Sequence, residues 1–143
     1  MKSKYIPLLI VVFLSTGLTF KPQKLKIGDK AHGGIIAWID DTEEHGLVAA
    51  IEDIGPYHWE KAKKECEEYS YMGKNDWYLP SKQEMTFLAT NLFEKNIGNF
   101  QEKSYWTSTK LNETRSFSIN LKDGYFYESG IALWGLSRPV RPF

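Results

Sequence analysis

Cysteine is nearly missing from this chain, since Cys66 is the only one among its 143 residues. One cysteine forms no internal disulfide, and it cannot supply a multi-cysteine zinc site. Cys66 follows Trp59 and Ala62 at helical spacing, so it falls on the apolar stripe of a predicted helix. We expect a buried free thiol. The alternative, a nucleophile or an intermolecular bridge, lacks a histidine at a suggestive spacing.

Catalytic and metal-binding motifs are also missing. His32, His45 and His58 are far apart, and no two share a helix face, so they form no zinc box. Ser81 lacks the Gly-x-Ser-x-Gly context of a hydrolase nucleophile, and its spacing to Glu84 predicts a helix capping box. The acidic residues of segment 40–44 lack a calcium-loop pattern and predict a solvated turn. The sequence therefore predicts no enzyme, no cofactor and no metal site.

An excess of charge of one sign is missing as well, with 18 basic and 18 acidic residues. This balance does not favour nucleic-acid binding. Lys2 and Lys4 precede an apolar run, residues 5–14, and small residues follow at 15–17, which is typical of a secretory signal peptide. We therefore expect a secreted or cell-envelope protein. Removal of Lys2 and Lys4 leaves 16 basic against 18 acidic residues.

The domain organisation follows from the signal pattern. We predict a signal peptide at 1–20, a linker or first edge strand at 21–30, and a single domain at 31–143. No cysteine follows the apolar run, so a lipid anchor is not expected. Counting residues 18–20 into the run leaves an uncleaved membrane anchor as the alternative.

Hydrophobic periodicity predicts an α+β fold. Strands at 35–39 and 47–51 flank the acidic turn and form a hairpin. Helices are predicted at 59–71, ending near Gly73, and from Lys82 to about Phe93, with Met85, Leu88 and Leu92 on its apolar face. Further strands are predicted at 105–109, 115–121 and 125–128, the last two joined by a turn at 122–124. Two prolines confine segment 138–143 to a sheet edge.

Several motifs occur together in one order, and this combination is specific enough to indicate a family. It comprises Gly-Gly-Ile-Ile-Ala-Trp at 33–38, His-Gly-Leu-Val-Ala-Ala at 45–50, Asp-Trp-Tyr-Leu-Pro-Ser at 76–81, Tyr-Trp-Thr-Ser-Thr at 105–109 and Arg-Pro-Val-Arg at 138–141. In this set the chain resembles the C-terminal domain family of collagen-like bacterial adhesins, the Lcl C-terminal-like domains. The resemblance covers nearly all of the chain after the linker.

The resemblance implies a C-type-lectin-like fold, with two helices packed on small mixed or antiparallel sheets and the N- and C-terminal strands brought together. It also implies a secreted or surface protein. In the best understood members the domain follows a collagen-like stalk, trimerises and binds sulfated polysaccharides. This chain has no Gly-X-Y repeat, so the trimeric and adhesin roles do not carry over to it directly.

Aromatic residues are abundant, at 15%, and several lie beside basic residues in the β-rich half. Guanidinium and ammonium groups bind sulfate or carboxylate, and aromatic rings stack on sugars. The candidate ligand-binding residues are Lys110, Arg115, Lys122, Tyr125, Tyr127 and Trp134. The alternative is structural: the aromatics belong to the core, and Arg138 and Arg141 brace the closing strand through internal carboxylates. Trp106 is expected to be buried.

The sequence thus favours a non-enzymatic binding domain that recognises carbohydrate, an anionic polysaccharide in particular, or a host or envelope surface. The alternative function is a structural or protein-interaction module of the cell envelope with no glycan ligand. The expected partners are a polysaccharide or a surface protein.

Overall fold

The computed structural model describes residues 24–143. The expected signal peptide at 1–20 lies outside the described residues, as does the start of the predicted linker. Two helices and two small sheets make up the described part, so the predicted α+β class is confirmed. None of the helices within residues 24–143 is long and apolar enough to cross a membrane.

The first sheet joins both ends of the described chain. Its strands are β1 (Lys30–Ala31), β2 (Gly34–Ile39), β3 (Gly46–Ala49) and β9 (Val140–Pro142), in the order β1-β2-β3-β9. All three pairings are antiparallel. The C-terminal strand β9 therefore occupies an edge, as the two prolines of segment 138–143 predict. The predicted linker or edge strand is a strand only from Lys30 onward.

The second sheet holds the remaining strands, in the order β4-β8-β5-β6-β7. They are β4 (Ile54–Tyr57), β5 (Ser104–Lys110), β6 (Arg115–Asn120), β7 (Tyr125–Gly130) and β8 (Gly135–Ser137). β5 and β8 pair in parallel, and the other pairs are antiparallel. The hairpin predicted around 122–124 is confirmed, with Ser118 opposite Tyr127 and Asn120 opposite Tyr125.

The helices are α1 (Trp59–Glu68) and α2 (Lys82–Asn91), and a 3-10 turn follows at Phe93–Lys95. The capping box of α2 is confirmed: the Ser81 Oγ accepts from the Glu84 amide, and the Glu84 carboxylate accepts from the Ser81 amide. The prediction that α1 runs to Tyr71 is wrong. The helix ends where the backbone becomes extended at Tyr69. The Tyr69 ring packs edge-on against the Trp77 ring, with 5.2 Å between the ring centroids.

The second sheet is covered on both faces. Tyr105 and Ile119 pack toward α2 in one cluster, whereas Trp106 packs toward α1 with Trp59 and Cys66 in another. Trp106 and Cys66 are buried, as predicted from the sequence. Because neighbouring residues of a strand point to opposite faces, Tyr105 and Trp106 fix which face of β5 each helix covers.

Candidate functional site

The connection between β7 and β8 defines the candidate site. β7 is the edge strand, and β8 lies beyond both β6 and β5 in the sheet order. Segment 131–134 must therefore pass across the sheet, and it does so on the face that carries Trp106, Ser118 and Ser129. The Ile131 carbonyl accepts from the Trp59 amide at 3.1 Å, which ties the crossing segment to the start of α1.

Large apolar side chains lie exposed on this face. Tyr125 is 69% exposed, Tyr127 47%, Leu133 58% and Trp134 65%. The two tyrosines and Ser129 alternate along β7, so they point to the same side of the sheet. We call the surface formed by Tyr125, Tyr127, Leu133 and Trp134 the aromatic platform. The sequence-based alternative that these aromatics are core residues is wrong.

Two contacts orient the rings of the platform. The Tyr127 hydroxyl donates to the Asp123 carboxylate at 2.9 Å, and this hydrogen bond raises the pKa of the tyrosine. The Trp134 ring lies 4.3 Å from the His58 ring, centroid to centroid, at an angle of 51°. Both rings therefore have a preferred position before any ligand arrives, which lowers the entropy lost on binding.

A small pocket opens between the crossing segment and the sheet. We call it the serine pocket; it has a volume of about 60 Å³. It is lined by three serines, two tryptophans, a leucine and a glycine: Ser104, Ser118, Ser129, Trp106, Trp134, Leu133 and Gly135. The Ser118 and Ser129 hydroxyl oxygens lie 2.7 Å apart and share a hydrogen bond. Hydroxyl groups and apolar ring surface thus meet in one recess beside the platform.

The predicted basic residues do not gather on this face. Arg115 lies within 3.6 Å of the Glu128 carboxylate, and alternation along β6 places it with Phe117 on the α2 side. The Lys110 ammonium lies over the Trp59 ring and 3.9 Å from each of two carboxylates, those of Glu60 and Glu113. Both cations therefore have carboxylate partners.

Lys122 differs from these two residues. It is exposed in the turn between β6 and β7, next to the end of the strand where Tyr125 lies. Among the ion pairs of residues 24–143, none includes Lys122. It is thus the predicted cation best placed to meet an acidic group on a ligand held by the platform.

Arg138 and Arg141 take structural positions, as the structural alternative predicts. The Arg138 guanidinium is fully buried and contacts the Asp53 carboxylate at 2.7 Å. Arg141 forms two hydrogen bonds with the Asp76 carboxylate, which lower the pKa of Asp76. Arg141 also donates to the His32 carbonyl, which fixes the C-terminal strand against the loop after β1.

Two candidates for covalent or metal chemistry lie near this face: Cys66 packs with Trp106, and the His58 ring lies beside Trp134. Burial raises the pKa of the Cys66 thiol far above its ordinary value, so the nucleophilic thiolate is disfavoured. Within residues 24–143, no group of three or more acidic, histidine or cysteine side chains could hold a metal ion. The platform and the pocket can stack, exclude water and form hydrogen bonds, which is binding chemistry.

Sequence reasoning missed the serines and Leu133. A signal for one of the pocket serines was present, because Ser118, together with Ser116, alternates with the apolar Phe117 and Ile119. That pattern indicates a strand with one apolar face and one face of small hydroxyl side chains. Joining Ser129 to Ser118 requires the register of β6 against β7, which the pattern alone does not supply.

Comparison with known proteins agrees with the motif order. The family description "Lcl C-terminal domain" matches residues 27–141, which is most of the chain. The chain belongs to the Lcl C-terminal domain family. The platform, the serine pocket and both buried arginines all lie inside the matched range. No curated protein matches the chain.

Proposed function

We propose that this member of the Lcl C-terminal domain family is a non-enzymatic binding domain that recognises carbohydrate. The observation that carries the proposal is the aromatic platform beside the hydroxyl-lined serine pocket. Tyrosine and tryptophan rings offer apolar faces to the C–H groups of a sugar ring, while hydroxyl groups bind its polar edge. Three exposed aromatic rings on one face of one strand and its following segment are unusual for a solvated surface.

The charges around the platform refine the type of glycan. Lys110 and Arg115 are paired with carboxylates, so Lys122 is the one predicted cation outside the ion pairs of residues 24–143. One exposed lysine contributes little binding free energy on its own, and salt screens its charge. We therefore propose that stacking provides most of the affinity, and that an acidic group on the glycan adds a smaller, salt-dependent part.

The fold and the location belong to the same proposal. We propose that the architecture is C-type-lectin-like, with support from the family membership, the two helices and the placement of both terminal strands in one sheet. We also propose export to the cell surface or the medium. The basic residues Lys2 and Lys4 and the apolar run that follows support export.

A glycan array tests the proposal. The wild-type domain should bind a defined set of glycans, and Tyr127→Ala and Trp134→Ala should each weaken binding by about tenfold, or about 1.4 kcal/mol. Met72→Ala is the matched control, because Met72 is a large exposed side chain in the turn after α1. Circular dichroism should show that all three variants stay folded. The array should be run with and without calcium.

The outcomes separate the two functional candidates. If no glycan is bound, or if the platform variants bind as well as the wild type does, the carbohydrate proposal fails. The structural or protein-interaction module then becomes the better explanation. Retention on heparin across a salt gradient tests the acidic component, since Lys122→Glu should lower the salt concentration at which the domain elutes.

A further inference from the structure

The serine pocket is too small to hold a sugar ring. Its volume is about 60 Å³, well below the roughly 150 Å³ of a cavity that holds a single benzene ring. A ligand stacked on the platform can therefore place only a substituent of a few heavy atoms inside the pocket. The chemistry of the pocket walls determines which substituent fits, and those walls combine two properties.

The first property is a hydroxyl pair that is ready to bind a donor and an acceptor together. Ser118 is only 4% exposed, and its Oγ lies 2.7 Å from the Ser129 Oγ. One of the two hydroxyls donates to the other, so the accepting hydroxyl keeps its own hydrogen for an outside acceptor. Both oxygens retain lone pairs for an outside donor. One donor and one acceptor side by side match the carbonyl and N–H of an amide.

The second property is an apolar wall formed by Trp106, Leu133 and Trp134. The Trp106 indole N–H already donates to the Tyr57 carbonyl at 2.9 Å, so it is not available to a ligand. Leu133 and Trp134 form the outer wall. Gly135 lets the crossing segment lie close to Trp106, because a Cβ there would stand 2.9 Å from the indole nitrogen. Such a wall suits a methyl group rather than a charged or strongly hydrated group.

An amide that ends in a methyl group meets both requirements. We propose that the serine pocket binds the acetamido group of an N-acetylated hexosamine whose ring stacks on the aromatic platform. This inference rests on the proposed carbohydrate function and specifies its ligand class. A plain hydroxyl would use the serines but leave the apolar wall empty, and an ammonium would be desolvated there without a carboxylate.

Three matched trisaccharides test the inference by isothermal titration calorimetry. The β1,4-linked trimers of N-acetylglucosamine, glucose and glucosamine differ only at the 2-substituent. The wild type should bind the acetylated trimer at least about tenfold more tightly than the other two, a difference of about 1.4 kcal/mol. Saturation-transfer NMR should place the acetyl methyl among the protons closest to the protein.

Two substitutions of Ser129 make the test specific. Ser129→Val removes one hydroxyl of the pair, and Ser129→Thr keeps the hydroxyl but adds a methyl group to the pocket. β-branched residues suit a strand, so both variants should fold. Each should lower the affinity for the acetylated trimer by about tenfold and so reduce the preference for that trimer over the glucose trimer. Met72→Ala is again the control, and circular dichroism confirms folding.

Failure of this inference differs from failure of the proposed function. The acetamido assignment is overturned if the wild type binds the three trimers equally well. If Trp134→Ala then loses affinity for all three, carbohydrate recognition by the platform still stands. An acetyl preference that survives in both Ser129 variants also overturns the assignment. If no trimer binds while other glycans on the array do, only the acetamido assignment falls. If the array too is empty, both fall.

Discussion

Asp53→Asn should be among the most destabilising single changes in this domain. The Arg138 guanidinium is 1% exposed and donates to the Asp53 carboxylate, to the Ala50 carbonyl at 3.0 Å and to the Gly98 carbonyl at 2.7 Å. It also stacks on the Phe100 ring at 3.9 Å. This one side chain therefore links the end of the first sheet to the loop after α2, and Asp53 is its only charged partner among residues 24–143.

The expected magnitude follows from burial. Asparagine keeps the shape of the side chain but leaves the buried guanidinium without a counter-charge, and breaking a buried pair in this way costs about 3–5 kcal/mol. Asp53 also accepts from the Tyr105 hydroxyl at 2.7 Å, which the amide oxygen can still do in one orientation. Because a domain of this kind is stable by about 5–15 kcal/mol, the variant should lose a large part of its stability.

Urea unfolding, followed by the fluorescence of the buried tryptophans, measures the loss. Asp76→Asn is the matched control, since it removes the carboxylate from the other arginine pair. The Asp76 side chain is 51% exposed, against 10% for Asp53, so water can replace much of what the variant loses. We expect about 1–2 kcal/mol for Asp76→Asn. Equal losses in the two variants, or a loss below about 1 kcal/mol for Asp53→Asn, would refute the burial argument.

Three further outcomes are expected. Trp106→Ala should cost about 3–5 kcal/mol in urea unfolding, because its ring fills the space between the second sheet and α1; an unchanged midpoint would contradict this role. Ser81→Ala should cost about 1 kcal/mol by the same assay, since it removes the side-chain cap of α2, and a neutral result would count against the cap. Arg141 lowers the pKa of Asp76, so the pair stabilises the fold above about pH 4 and this contribution is lost as the pH falls through the lowered pKa. Asp76→Asn should therefore flatten the acid limb of the stability curve, and an unchanged limb would exclude this linkage.

Local sequence signals predicted the elements with strong periodicity. The stripe of Met85, Leu88 and Leu92 identified α2, and the Ser81–Glu84 spacing fixed its first turn. The alternation of Phe117 and Ile119 identified β6. In each case the residues that make the pattern also make the contacts, so local and tertiary preferences agree.

Two strands escaped prediction for a physical reason. β4 contains Gly55 and Pro56, and β8 is three residues long and begins with Gly135. Neither strand shows the alternation that marks a strand in sequence, and Ile54 is the one β-branched residue in the two. They exist because β8 pairs in parallel with β5 and offers its other edge to β4. Such pairing is set by the tertiary fold, so the local sequence carries little signal for it.

The sequence predicted only part of the candidate site, because the rest also depends on strand pairing. Exposed tyrosines at alternate positions of β7 could be proposed from sequence, but their separation from Arg115 could not. That separation depends on which face of β6 meets α2, and this is known only once the register is fixed. The serine pocket depends on still more, because it forms where segment 131–134 crosses a sheet whose strand order the sequence does not give.

The serine pocket exists because a segment crosses the sheet and because the residues beneath that segment include two serines, Ser118 and Ser129. A sheet with α1 over one part of its face needs cover over the rest, and the crossing segment provides that cover. Valine or leucine at Ser118 and Ser129 would fill the space beneath the segment and add buried apolar area, worth about 1.5–3 kcal/mol for each fully buried side chain. Serines there forgo that stability and keep a recess open beside exposed rings. Positions where a sequence departs from the most stabilising choice are those where function is expected. This argument favours a ligand at the serine pocket over a sheet face that merely meets solvent.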